Sequence, residues 1–150
     1  MEALNFLKKQ HREVEALFKK AIEAREPTER LNLFKQIARN LRLHAAIEEA
    51  MFYPELRARV EKDAERLEVA EAYEEHALVK ITIEGLEQLD PADERFEAKL
   101  VVLNDLVQHH VDEEEGTIFK LAHHAFDKPE LEQLGTRLEE AAEQATTPAA

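Results

Sequence analysis

Twice in this chain a histidine is followed one helical turn later by a glutamate, His44/Glu48 and His110/Glu114, at positions where the surrounding apolar pattern calls for a core residue. Imidazole and carboxylate are costly to bury without compensation, and the simplest partner that satisfies both is a metal ion. Two further histidines fall on inward seams. His11 takes the place between Leu7 and Val14 in the series Leu4, Leu7, Val14, Phe18, Ala21, and His76 shares a face with Val69, Tyr73, Lys80 and Ile83. Register chooses between neighbours: from His110/Glu114 the seam runs on to Ile118 and Leu121, whereas from His109/Glu113 it leads to Gly116 and Lys120. The candidate metal ligands are therefore His11, His44, Glu48, His76, His110 and Glu114. Buried ion pairs are the metal-free alternative for the same residues.

The elements that must position these residues are helices. Only 3 Gly and 5 Pro interrupt 150 residues rich in Ala, Leu, Glu, Lys and Arg, and no strand pattern is visible. Breaks at Pro27, Pro54, Asp90-Pro91 and Lys128-Pro129 divide the chain into helices over about 3–25, 29–53, 63–89, 92–125 and 128–144, with Asp90 as the cap of the fourth. The terminal TTPAA has nothing to pack and is expected to fray. This is an all-α chain: an antiparallel up-down-up-down four-helix bundle over residues 1–126, with a short fifth helix and tail over 127–150 in the same single domain. Short connections bring residues equidistant from a turn side by side. His11 and His44 average to position 27.5, beside Pro27, and His76 and His110 to 93, beside Asp90-Pro91, so each hairpin brings its two histidines to about one height.

An internal echo supports a shared plan for the two hairpins. HAAIEEAMFYP from His44 and HVDEEEGTIFK from His110 align without gaps in the histidine, in two glutamates four and five residues on, and in the aromatics Tyr53 and Phe119. Glu49 and Glu115, the second glutamates, are substitutes for Glu48 and Glu114 as ligands. Glu15 sits at the edge of its seam and reads as solvated. His109, His123 and His124 read as surface or helix-end residues, the last two complementing the helix dipole when protonated. Phe52, Phe119, Tyr53 and Leu7 read as core first and pocket wall second, and Gly116 as room for a ligand path or for helix packing.

Composition excludes several alternatives. With no cysteine, any metal is held by imidazole and carboxylate, and neutral imidazole with carboxylate suits Fe(II), Mn(II) or Zn(II). A net charge of −13, with Lys and Arg scattered, argues against nucleic acid and anionic membrane as partners. No apolar run is long enough for a membrane span and no export segment is visible, so a cytoplasmic location is expected. No glutamate stands three residues before a histidine, which disfavours the ferritin-like di-iron pattern, and His-Glu-x-x-His is absent.

The order His11, His44-x-x-x-Glu48, His76, His110-x-x-x-Glu114 resembles the hemerythrin-like HHE cation-binding family over about residues 1 to 126. The segments KKQHREVEALF, LRLHAAIEEAMFYP, YEEHALVKITIEGL and LVQHHVDEEEGTIF are similar to that family's. The resemblance implies a four-helix bundle around two iron ions, a non-haem di-iron centre with an oxo or hydroxo bridge. In it Glu48 and Glu114 would bridge the irons and the histidines would be terminal ligands. One departure is Lys80, which stands where oxygen-carrying hemerythrins have a second third-helix histidine. A missing ligand there could be water or Tyr73, or Lys80 could donate a hydrogen bond to bound peroxide. Two functions fit the same residues. The first is a binding module that holds or senses dioxygen or a related small ligand such as nitric oxide; the alternative is a di-iron oxidase or peroxidase-like enzyme handling peroxide or nitric oxide. Because imidazole binds metal when neutral, affinity is expected to fall below about pH 6.5.

Overall fold

Local sequence signals start and stop each helix, and the two His-x-x-x-Glu segments add a feature of their own. The computed structural model describes residues 1–146, all-helical with no strand among them. The first rod is α1 (Ala3–Glu23), capped by the Glu2 carboxylate, which accepts from the Asn5 N–H. The second begins with Pro27 as α2 (Pro27–Ile47), passes through a π-helical turn at Glu48–Phe52, and continues as α3 (Tyr53–Arg59). The third is α4 (Asp63–Glu87). The fourth runs as α5 (Glu94–Glu113), a second π turn at Glu114–Ile118, and α6 (Phe119–Ala125). The last is α7 (Lys128–Thr146). The end of the tail, residues 147–150, lies outside the described residues.

Two expectations about boundaries change. The second rod does not stop at Pro54, because Pro54 falls in the first turn after the π segment, where Tyr53 N–H already bonds to Glu48 C=O five residues back. The bonding pattern is shifted there, and a missing proline N–H is tolerated. The fourth rod is capped by Asp93 rather than Asp90: Asp93 Oδ1 accepts from the Arg95 N–H at 2.9 Å, while Asp90 Oδ1 accepts from the Ala92 N–H at 2.8 Å in the preceding turn.

Packing closes a ring: α1 against α2 and α5, and α4 against α5 and α2. α7 lies on α1 and α2. Gly135 allows that approach, since a Cβ there would collide with the Met1 carbonyl oxygen. The interior holds two apolar cores. One gathers Leu7, Phe52, Tyr53, Leu56, Val69, Phe119 and the inner face of α7; the other gathers Val14, Phe18, Phe34, Ile37, Ile83, Phe96 and Leu103. Each of the four long rods crosses from one core to the other at its histidine: Leu7–His11–Val14, Leu41–His44–Ile47, Ala72–His76–Val79 and Val107–His110–Ile118. The polar residues thus form a layer between two hydrophobic clusters. At the far end, buried Arg30 ties the two hairpin turns together, donating to Ala24 C=O at 2.9 Å and Pro91 C=O at 3.1 Å while pairing with Glu97 at 2.9 Å. No helix among the described residues is long and apolar enough to cross a membrane.

Candidate metal centre

All six residues read from register converge in that layer, and all are buried, Glu48 and Glu114 completely. The histidines meet in pairs: His11 Nε2 lies 3.2 Å from His44 Nε2, and His76 Nε2 lies 3.2 Å from His110 Nε2. Glu114 faces both pairs with separate oxygens, Oε1 at 3.1 Å from His11 Nε2 and Oε2 at 3.4 Å from His110 Nε2. Glu48 meets both through Oε1, at 2.9 Å from His44 Nε2 and 3.1 Å from His76 Nε2. Its Oε2 is buried with no hydrogen-bond partner. Two overlapping donor groups result, His11/His44/Glu48/Glu114 and Glu48/His76/His110/Glu114, each with ligand atoms within 4.8 Å of one another.

Outside the layer every Nδ1 is engaged. His11 Nδ1 faces Glu115 Oε2 at 2.6 Å, His44 Nδ1 faces Gln10 Oε1 at 2.6 Å, His76 Nδ1 faces Glu49 Oε2 at 2.9 Å, and His110 Nδ1 faces Glu75 Oε1 at 2.7 Å. Each acceptor comes from the preceding long rod in chain order, and the first histidine's comes from the last. Carboxylate and amide oxygens only accept, so each Nδ1 carries a proton, and an imidazole that is neutral in that tautomer turns its Nε2 lone pair inward. Lone pairs 3.2 Å apart, beside two carboxylates, require a cation among them. In the metal-free chain, protons serve. Burial lowers the His44 pKa, but the charge of Glu48 and hydrogen bonds to Glu114 and Glu48 outweigh it and push it up to about 9. Burial likewise opposes protonation of His110, whose bonds to Glu114 and Glu75 push it up to about 10. Burial would raise Glu114, yet bonds from His11, His110 and His44 hold it well below the usual carboxylate range. The donor set, the inward lone pairs and the orphaned Glu48 oxygen fit a pair of cations.

The π turns begin at Glu48 and Glu114 themselves. Nine residues in an ideal α-helix rotate about 900°, half a turn away from the starting face. The wider π turn absorbs one residue, so Tyr53 and Phe119, nine after His44 and His110, come round toward the layer instead. Tyr53 is the residue that register missed. Its hydroxyl donates to Glu114 Oε2, lies 3.3 Å from Glu48 Oε1 and from His76 Nε2, and stands 3.5 Å from His110 Nε2. Burial first, then the charges of Glu114 and Glu48, raise its pKa well above 10. The echo of aromatics at one offset was the available signal. Tyr73 packs edge-on against the Tyr53 ring at 5.2 Å, so Tyr53 is the phenol at the histidines.

The remaining candidates stay outside. Glu49 and Glu115 serve the outer nitrogens rather than the layer, and each meets a surface cation: Lys80 Nζ is 3.2 Å from Glu49, and Arg12 pairs with Glu115. Burial would raise Glu49, but bonds from His76 and Lys80 lower its pKa. Glu15 is held by Arg12 at 3.0 Å, and exposed His109 faces Glu75 at 3.3 Å. Gly116 borders open space, with nothing within 4 Å of an added Cβ. Against the histidines lies a cavity of about 40 Å³ whose remaining walls are mainly Val14, Leu41, Val79, Ile83, Val107 and Val111.

A buried layer of four histidines and two glutamates between the cores of an all-helical chain defines a cation-binding helical domain. The hemerythrin HHE cation binding domain matches over residues 2–122, and the chain belongs to that family. A crystal structure of a hemerythrin HHE cation binding domain-containing protein from Mycobacterium kansasii superposes with a TM-score of 0.84 at 26% identity, covering 97% of this chain and 87% of that one. A DNA nickase of Nostoc sp. (strain PCC 7120) is 28% identical over 142 residues, 94% of this chain; the chain spans 39% of that relative's length.

Proposed function

We propose that this chain holds two iron ions in the layer between its cores and binds dioxygen, or a related small ligand such as nitric oxide or peroxide, beside them. The helices are read as an antiparallel up-down-up-down bundle with α7 packed outside it. The observation that carries the reading is the set of four inward Nε2 atoms, fixed by four outer acceptors and facing two buried carboxylates, one with an unpartnered oxygen. His11 and His44 would hold one ion and His76 and His110 the other, with Glu48 and Glu114 shared. When bound, a ferrous pair supplies two electrons and an exchangeable position for a small ligand. The apolar cavity beside the histidines, about 40 Å³, has room for a diatomic molecule.

Tyr53 favours a second reading, a di-iron enzyme that turns over peroxide. Its hydroxyl holds a proton at the carboxylates, where a bound oxygen species would need one. The nicking activity of the Nostoc relative is not carried over, since a net charge of −13 opposes DNA binding. The test is to load the protein anaerobically with Fe(II) and follow its visible spectrum while dioxygen is added and removed. A reversible change supports the binding module. Irreversible oxidation, with peroxide consumption that falls in Tyr53→Phe, supports the enzyme.

A further inference from the structure

The ring of outer acceptors is broken at one place. Positions 10 and 75 each precede the single histidine of their hairpin and each receive the Nδ1–H of the hairpin's other histidine, yet one is Gln10 and the other Glu75. A carboxylate behind Nδ1–H makes an imidazole a stronger metal ligand; a neutral amide fixes the ring without that gain. The other acceptors are matched across the site. Glu115 behind His11 pairs with Arg12, and Glu49 behind His76 pairs with Lys80. The His76/His110 pair is thus backed by two carboxylates and the His11/His44 pair by one. The two pairs differ on their inner side as well, because the Tyr53 hydroxyl reaches both His76 and His110.

We propose that the two metal positions are unequal and that position 10 sets the difference: His76/His110 is the tight, resident position, and His11/His44 is the weak one from which metal exchanges. The proposal rests on the two-metal reading above. Gln10 acts as a positioning residue, through the orientation and basicity of His44.

Two shared carboxylates make stepwise filling expected of any such pair, so the swap of acceptors is what tests the idea. Anaerobic calorimetric titration with Fe(II) alone would be run on wild type, Gln10→Glu and Glu75→Gln, both substitutions being close in size to the residues they replace. Gln10→Glu is expected to tighten the weaker step by about ten- to a hundredfold and leave the tighter step in place; Glu75→Gln is expected to loosen the tighter step by a similar factor. Mössbauer spectra of protein carrying a single ⁵⁷Fe(II) per chain should show one environment in wild type and a mixture of two in Glu75→Gln. Two ions bound with steps indifferent to both variants would overturn the role of position 10 while leaving the two-metal reading intact. A wild type that binds no Fe(II) would overturn both.

Discussion

The two hairpins repeat one plan, and the differences between them fall on a few atoms at the site. Each supplies a single-histidine helix, a His-x-x-x-Glu helix, a π turn starting at the glutamate and an aromatic ring that the turn brings inward. Tyr53 of the first hairpin faces the second hairpin's histidines with a hydroxyl, whereas Phe119 of the second stacks on His11 at 6.1 Å and offers only a ring face. Glu75 in one hairpin answers Gln10 in the other. A repeated plan therefore builds two similar donor groups, and the side chains just outside them differ in polarity.

The shared carboxylates give the largest test of that comparison. Glu114 contacts His11 through Oε1 and both His110 and Tyr53 through Oε2, whereas Glu48 works through Oε1 alone. Glu114→Ala is therefore expected to retain less metal than Glu48→Ala, counted by elemental analysis after anaerobic loading and desalting. Equal retention would erase the distinction between the two glutamates.

Acidity gives the next. The His44 and His110 pKa values, about 9 and about 10, are both raised, so the stability they lend the metal-free chain is complete below an unfolded value of about 6.5 and is lost as pH rises through 9 and 10. The metal-free melting temperature is expected to fall between pH 7 and 10, and the stabilisation gained on adding metal to grow over the same range. Competition between metal and protons thus extends well above the window near 6.5 that free imidazole implies. A flat metal-free profile would count against the proton-filled layer.

Tyr53→Phe makes the first hairpin match the second. With Phe119 already accommodated at the equivalent place, the fold is expected to persist, with a loss of about 1.5–3 kcal/mol for hydrogen bonds to charged groups, measured by denaturant unfolding of the metal-free protein. Smaller still is Lys80→Ala. Its partner Glu49 is a surface-side acceptor, so the stability change is expected to stay below about 1 kcal/mol. A larger loss would give the Lys80–Glu49 pair more weight than its counterpart geometry allows.

Much of the layer was legible from sequence because burial and helical period act together. Leu7, His11 and Val14 fall on one seam, and midpoints close to two turns put the histidines at matching heights. Tyr53 was hidden because an ideal helix turns it away from the histidines, and the π turn that brings it back starts at Glu48, where the helical period alone gives no sign of it. Gln10 and Glu75 lie one residue off the seam, where hydrophobic pattern is silent, and only the neighbouring rod shows which nitrogen they reach. Pro54 looked like a stop because the shifted bonding that tolerates it belongs to the same π turn. Arg30 gave no signal, since its partners are backbone carbonyls of two separate turns and a glutamate far along the chain.

We propose that the inward Nε2 atoms and the two buried carboxylates hold a pair of metal ions. The most direct measurement is the iron content per chain after anaerobic Fe(II) loading and removal of free metal, for wild type beside a variant with His11, His44, His76 and His110 all changed to Gln. Two irons are expected in the wild type and none in a folded variant; iron retained equally by both would contradict a two-metal site at these residues.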